Sequence, residues 1–196
     1  MAGERHGFAS EAFTDEEQQA ILSIADKTRV YILHKGYDNE FLGRLVRFLM
    51  YTGVHISVLP KLKASNIEET VEEAGVRRLF LTYRRPKKKK DNVVKMPVSR
   101  RLLPWVYAFL DQEKPKSRVR YNQILINLQK EMEKQGYRIH LNPHRFRHTC
   151  MRILTHEGAQ TLEDVERITG TTAKTLARYA KRSLGEIADD LSTKGW

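Results

Sequence analysis

Three side chains in NPHRFRHTC stand where a helix would gather them. His144, Arg147 and His148 are spaced i, i+3 and i+4, which puts them on one helical face. A guanidinium between two imidazoles suits a phosphate. Arginine forks onto two oxygens, and histidine exchanges a proton near neutral pH. About thirty residues on, TGTTAKTLARYAKRS carries Tyr179 among Arg178, Lys181 and Arg182. A phenol with its usual pKa of ~10 is a weak nucleophile, but cations around a desolvated phosphate would stabilise the phenolate as it attacks. Two plainer readings compete. His140, His144 and His148 recur every four residues, as zinc ligands can. No HExxH pattern appears, however, Pro143 separates the first two, and Arg147 would repel a cation, so no metal is expected. The other reading is a basic helix that lies on DNA without chemistry, with Tyr179 an ordinary residue of an amphipathic helix.

A second concentration of charge lies upstream. Between Arg77 and Arg101 there are eleven Lys and Arg against one acid, Asp91. RLFLTY and NVVKMPV are β-rich runs on either side of RRPKKKKD, which predicts a β-hairpin with a basic tip. Such a tip projects, and can enter a groove or grip a backbone; a solvated turn or targeting patch is the alternative.

The elements that must position these groups are mostly helical. Thr14 and Glu17 form a capping box, and Ile21, Ile24, Ala25 and Leu33 follow near helical spacing. A second helix is predicted over 39–51, stopped by Gly53. A short helix around 56–62 contains Pro60 and should be irregular. The polar stretch 68–75 holds a further strand or only a loop. Helices are expected over 100–112 and 122–134, then one following Pro143 that ends at Gly158. Shorter ones cover 162–168, 173–182 and the C-terminal segment. The fold class expected is therefore mainly α with a small antiparallel β-sheet.

The bulk numbers agree with a polyanion-binding domain. Thirty-five Lys and Arg against 24 Asp and Glu give a net charge of +11 over 196 residues. Neutralising phosphates releases counterions and gives salt-dependent affinity, although charge alone does not separate nucleic acid from an anionic membrane surface. The single cysteine, Cys150, excludes an internal disulfide and fits a reducing, cytoplasmic setting; its expected role is a small core residue. No stretch is long and apolar enough for a membrane span, and residues 1–10 lack the apolar core of a signal peptide.

The order of these elements resembles the tyrosine recombinase (phage integrase) family, over residues 14–182. YTGVHISVLPKLKASNI resembles the family's first box, PHRFRHTCMRILTHEGA its second, and ERITGTTAKTLARYAKR the segment bearing the nucleophile. The resemblance implies the catalytic-domain fold of that family and DNA strand exchange. Arg147 would grip the scissile phosphate and His144 would assist proton transfer. A hairpin lysine would protonate the leaving 5′ oxygen. Counting back from Pro97 points to Lys89, with Lys87, Lys88 and Lys90 one or two positions away. Tyr179 would form a 3′-phosphotyrosyl bond, which conserves the phosphodiester energy, so no cofactor is implied. Arg84, Arg85, Arg145, His148 and Arg178 would join the lysines in contacting DNA.

Three positions depart from the pattern. His55 stands for the first-box arginine, Val58 for its acidic neighbour, and Thr171 for the late histidine or tryptophan. Losing one preorganised transition-state donor costs on the order of 10²–10³ in rate. The site would then be slow, or use another cation such as Arg84 or Arg85, or belong to a recombinase-derived DNA-binding protein without turnover. An unrelated helical DNA-binding regulator is a third reading. Residues 1–13 are expected to be a tail or linker stub, and 183–196 a C-terminal helix that packs on its own core or docks on a neighbouring protomer. The chain lacks room for the family's N-terminal core-binding domain, so a catalytic fragment or minimal recombinase is expected. It would act as a homotetramer on double-stranded DNA, without a small-molecule substrate.

Overall fold

A computed structural model describes residues 12–71, 77–84, 93–98 and 102–156. The order is α1 (Asp15–Ala25), β1 (Val30–Ile32), β2 (Lys35–Tyr37), α2 (Asn39–Thr52), β3 (Ile67–Val71), β4 (Arg77–Arg84), β5 (Val93–Pro97), α3 (Leu103–Asp111), α4 (Arg118–Lys134) and α5 (Pro143–His156). This is the mainly helical architecture with a small antiparallel sheet that the pattern predicts.

α2 is the hub. Its N-cap Asp38 accepts from the Phe41 amide, and Gly53 closes it in a left-handed conformation, φ +55°. Leu42, Leu45, Val46, Phe48, Leu49 and Met50 are all buried, because the helix meets α1, α3 and α5. The Phe48 and Phe109 rings stack at 4.4 Å and lock α2 to α3; truncating such a core ring to alanine costs ~3–5 kcal/mol.

β3, β4 and β5 form an antiparallel sheet in that order, with Leu81 opposite Met96. Leu81, Tyr83, Val94, Met96 and Val98 turn inward, while Arg78, Arg84 and Lys95 stay outside. The predicted hairpin thus exists as β4 and β5, and the strand left open within 68–75 is β3. Lys95 pairs with Glu68 across the sheet at 3.2 Å.

Two local expectations are corrected. The first helix does not run on to Leu33. It stops at Ala25, and residues 30–37 form a small hairpin, β1–β2, with Val30 opposite Tyr37. Leu33 sits in its tight turn at φ +56° and is 80% exposed, so its helical spacing is coincidental. Only Leu59–Lys61 of the region 56–62 is helical, as a single 3-10 turn with Pro60 inside it, since proline fits a first turn and lacks the amide a longer helix needs.

Candidate phosphate-binding cleft

α5 carries the HxxRH box, and two neighbours fix where it points. Asn142 Oδ1 accepts the His144 and Arg145 amides at 2.8 and 3.0 Å and so caps the helix start. On one flank, α1 clamps it. Arg145 pairs with Glu17 at 2.7 Å and lies 4.2 Å over the Phe13 ring, and Arg152 reaches Asp15 at 2.9 Å. The buried Thr149 hydroxyl accepts the Phe13 amide at 2.8 Å. On the other flank, Gly53 sits so close that a Cβ there would lie 3.0 Å from Cys150 Cβ.

This second contact orients the central guanidinium. Arg147 Nη1 donates to the Gly53 carbonyl at 2.8 Å, at the C-terminal, negative end of the α2 dipole. Arg147 then lines a cleft of about 400 Å³ with His55, Ile56, Arg118, Asn122, Leu125, Ile126, His140, Leu141, Asn142, Pro143 and His144. Among the described residues, no carboxylate lines it. The cleft offers guanidinium, imidazole and amide donors beside apolar side chains, a donor set that suits an anion.

The imidazoles differ in role. His144 is exposed to the cleft, whereas His148 is 4% exposed beneath it, with the rings edge to face at 4.3 Å. Burial, reinforced by repulsion from His144 and Arg147, lowers the His148 pKa to about 4, so this ring is neutral at pH 7. His55 accepts the Ser57 amide on Nδ1 at 3.3 Å, with the Ser57 hydroxyl at 2.7 Å. Because a backbone amide only donates, that geometry puts the ring proton of neutral His55 on Nε2. Val58 is buried and apolar, so it brings no carboxylate to orient His55. Burial also pushes the Cys150 thiol up to about 12, and Cys150 is the core residue its surroundings suggest.

The cleft gathers His55, His144 and Arg147 of the sequence-predicted residues. It does not include the others that the structure describes. Arg84 is exposed at the end of β4 and is not among the lining residues, so it is no substitute there for a first-box arginine. Arg145, expected on DNA, is instead turned inward to Glu17 and Phe13, and His148 is buried under His144. An i, i+1 neighbour on a helix faces elsewhere, and His148, on the same face as His144, is covered where α5 enters the core. Arg85, Lys87, Lys88, Lys89, Lys90, Thr171, Arg178 and Tyr179 lie outside the described residues, as do the helices expected beyond Gly158. Sequence reading missed Arg118. The expected helix began at 122, four residues past Arg118, which the structure makes the first residue of α4.

No protein-family model matches the sequence, and no curated protein matches it. Solved structures do match in shape. XerA recombinase superposes with a TM-score of 0.63 at 17% identity, covering 100% of this chain and 68% of that one. The chain has the fold of the tyrosine recombinase catalytic domain. A Tn1549 transposon integrase in complex with a circular intermediate DNA has the same recombinase fold, at TM-score 0.62 and 15% identity over 97% of this chain and 68% of that one. XerH site-specific recombinase bound to its difH substrate matches at TM-score 0.56 and 16% identity over 91% of this chain, which spans about half, 52%, of that protein. Among the described residues of this recombinase-like chain, no helix is long and apolar enough to cross a membrane, and no three His, Cys, Asp or Glu side chains group as metal ligands.

Proposed function

We propose that this chain breaks and rejoins double-stranded DNA as a site-specific tyrosine recombinase, with Tyr179 as nucleophile. The observation that carries the reading is the cleft where His55 from the end of α2 meets His144 and Arg147 from α5, with no carboxylate lining it among the described residues. In the proposed step, Arg147 holds the non-bridging oxygens of a phosphodiester. The Tyr179 oxygen attacks phosphorus, and a proton passes to His144 or to water. The 5′ oxygen leaves with a proton from a hairpin lysine, Lys89 or its neighbours Lys87, Lys88 and Lys90. The 3′-phosphotyrosyl bond replaces one phosphodiester with another, and attack by a 5′ hydroxyl reverses it. Thr171 contributes at most a hydroxyl hydrogen bond there. Arg84, Arg85 and Arg178 hold flanking phosphates, and copies of the chain assemble as a tetramer on paired sites in the cytoplasm.

The test uses a pool of randomised duplexes nicked on one strand, so that the cleaved fragment diffuses away and the adduct is trapped. Denaturing washes select the covalent complexes. The expected product carries DNA through its 3′ end and is absent with Tyr179→Phe. DNA retention without any adduct supports the second reading, a recombinase-derived DNA-binding protein without turnover, which an imidazole at His55 in place of a guanidinium favours.

A further inference from the structure

We infer that Arg118 supplies a second guanidinium to this cleft, clamping from α4 the same phosphate that Arg147 holds from α5. The identity of the ligand as a DNA phosphodiester rests on the recombinase reading; the two-arginine anion site does not.

Arg118 and Arg147 are the two arginines that line the cleft among the described residues, and they come from different helices. Arg118 is the first residue of α4, whose N-cap Ser117 accepts the Arg120 amide at 3.3 Å. A cation at that end opposes the helix dipole. α1 follows the usual preference and opens with Asp15, Glu16 and Glu17, whereas the first turn of α4 has no acid at all. Arg118 is exposed, and no ion pair to a carboxylate is found for it among the described residues. Folding therefore gains nothing evident from this charge, while an anion in the cleft gains a bidentate donor.

The helix that carries Arg118 is well fixed. Tyr121, Ile124, Leu125 and Leu128 of α4 are buried. Gln129 accepts the Leu141 amide at 2.9 Å, tying α4 to the strand of chain that leads into α5. A phosphoryl group under attack presents two non-bridging oxygens that gain negative charge together. Arg147 has one guanidinium nitrogen directed to the Gly53 carbonyl, and the His55 ring, with Nδ1 against Ser57, has only Nε2 left to donate where a guanidinium offers a fork. A second guanidinium in the same cleft, brought by α4, supplies the further charge.

Inorganic phosphate is the probe. With 15N-labelled full-length chain, phosphate should shift the Nε–H resonances of Arg118 and Arg147 along one binding curve. Arg118→Ala should raise the phosphate Kd about tenfold, the loss of one charge-assisted pair, and leave the melting temperature equal or slightly higher, since a cation at a helix N-terminus is removed. Arg118→Lys should recover part of the affinity. An Arg118 resonance that ignores phosphate, or an Arg118→Ala chain that binds phosphate like wild type, overturns the clamp. On a duplex recovered from the nicked pool, Arg118→Ala should cleave about 10²-fold more slowly at saturating protein. A raised DNA Kd with an unchanged saturated rate would put Arg118 on a flanking phosphate and also overturn it. A wild-type chain that shows the phosphate responses but never forms an adduct sinks the recombinase reading and leaves the two-arginine site standing.

Discussion

Replacing Gly53 with alanine probes the junction that aims Arg147. Gly53 holds φ +55°, and a Cβ on it would meet Cys150 Cβ at 3.0 Å and Sγ at 3.1 Å, with Arg147 Cα at 3.8 Å. The left-handed backbone costs an alanine ~1–2 kcal/mol. Wedging a methyl into a packed helix contact adds ~1–3 kcal/mol, because the nearest atoms belong to a short side chain and a helix backbone that cannot swing aside. The total is ~2–5 kcal/mol. The protein contains its own control. Gly136 has φ +87° with no atom within 4 Å of its added Cβ, so Gly136→Ala carries only the backbone part, ~1–2 kcal/mol. Equilibrium urea unfolding of the three proteins should rank wild type above Gly136→Ala above Gly53→Ala, with the last two separated by at least ~1 kcal/mol. Gly53→Ala should also weaken phosphate binding, since α5 must shift and Arg147 loses its distance to the Gly53 carbonyl. Equal losses for the two alanine variants would refute the claim that α5 is pressed against the end of α2 and that this contact sets the guanidinium.

Other expected outcomes follow from the same geometry. Because the His148 pKa is lowered to about 4 in the fold, the unfolded chain binds the extra proton as pH falls below about 6.5, so stability is full above that value and drops toward pH 4. Between pH 7 and 5 the loss is about 2 kcal/mol, and urea midpoints for His148→Leu should show a flatter pH profile; an unchanged profile would mean the ring is not the group titrating. Arg145→Gln removes the Glu17 pair and should cost ~1–3 kcal/mol with the salt slope of DNA binding unchanged; a slope reduced by about one unit would place Arg145 on a phosphate after all. His55→Arg should speed adduct formation in the nicked-duplex assay. Abolished cleavage there would show that the imidazole has a role a guanidinium cannot fill.

Much of the fold was legible because its signals are local. The Thr14–Glu17 capping box, the apolar face of α2, the glycine after it and the alternating β4 and β5 each depend on neighbours in sequence. Leu33 misled for the same reason: it fits a helical period, but the turn between Val30 and Tyr37 and the packing of β1 against α4 override that period. At the site, spacing correctly grouped His144 with Arg147 but could not tell a cleft-facing residue from a core-facing one. The family resemblance implies DNA contacts for Arg145 and His148; the positions of Phe13 and Glu17 show Arg145 turned inward, and the His144 ring lies against a buried His148.

The sequence by itself determined the starts of α1, α2 and α5, the β4–β5 pair, the HxxRH spacing, the basic excess and the order of motifs, because these are set by residue type at fixed short offsets. Only the tertiary structure decided which charges meet. His55, Arg118, His144 and Arg147 come from three separate stretches of chain, and what brings them to one cleft is the packing of α2, α4 and α5 around a common core. No interval counted along the chain encodes that approach, since it depends on how helix faces interlock rather than on how far apart the residues are in sequence.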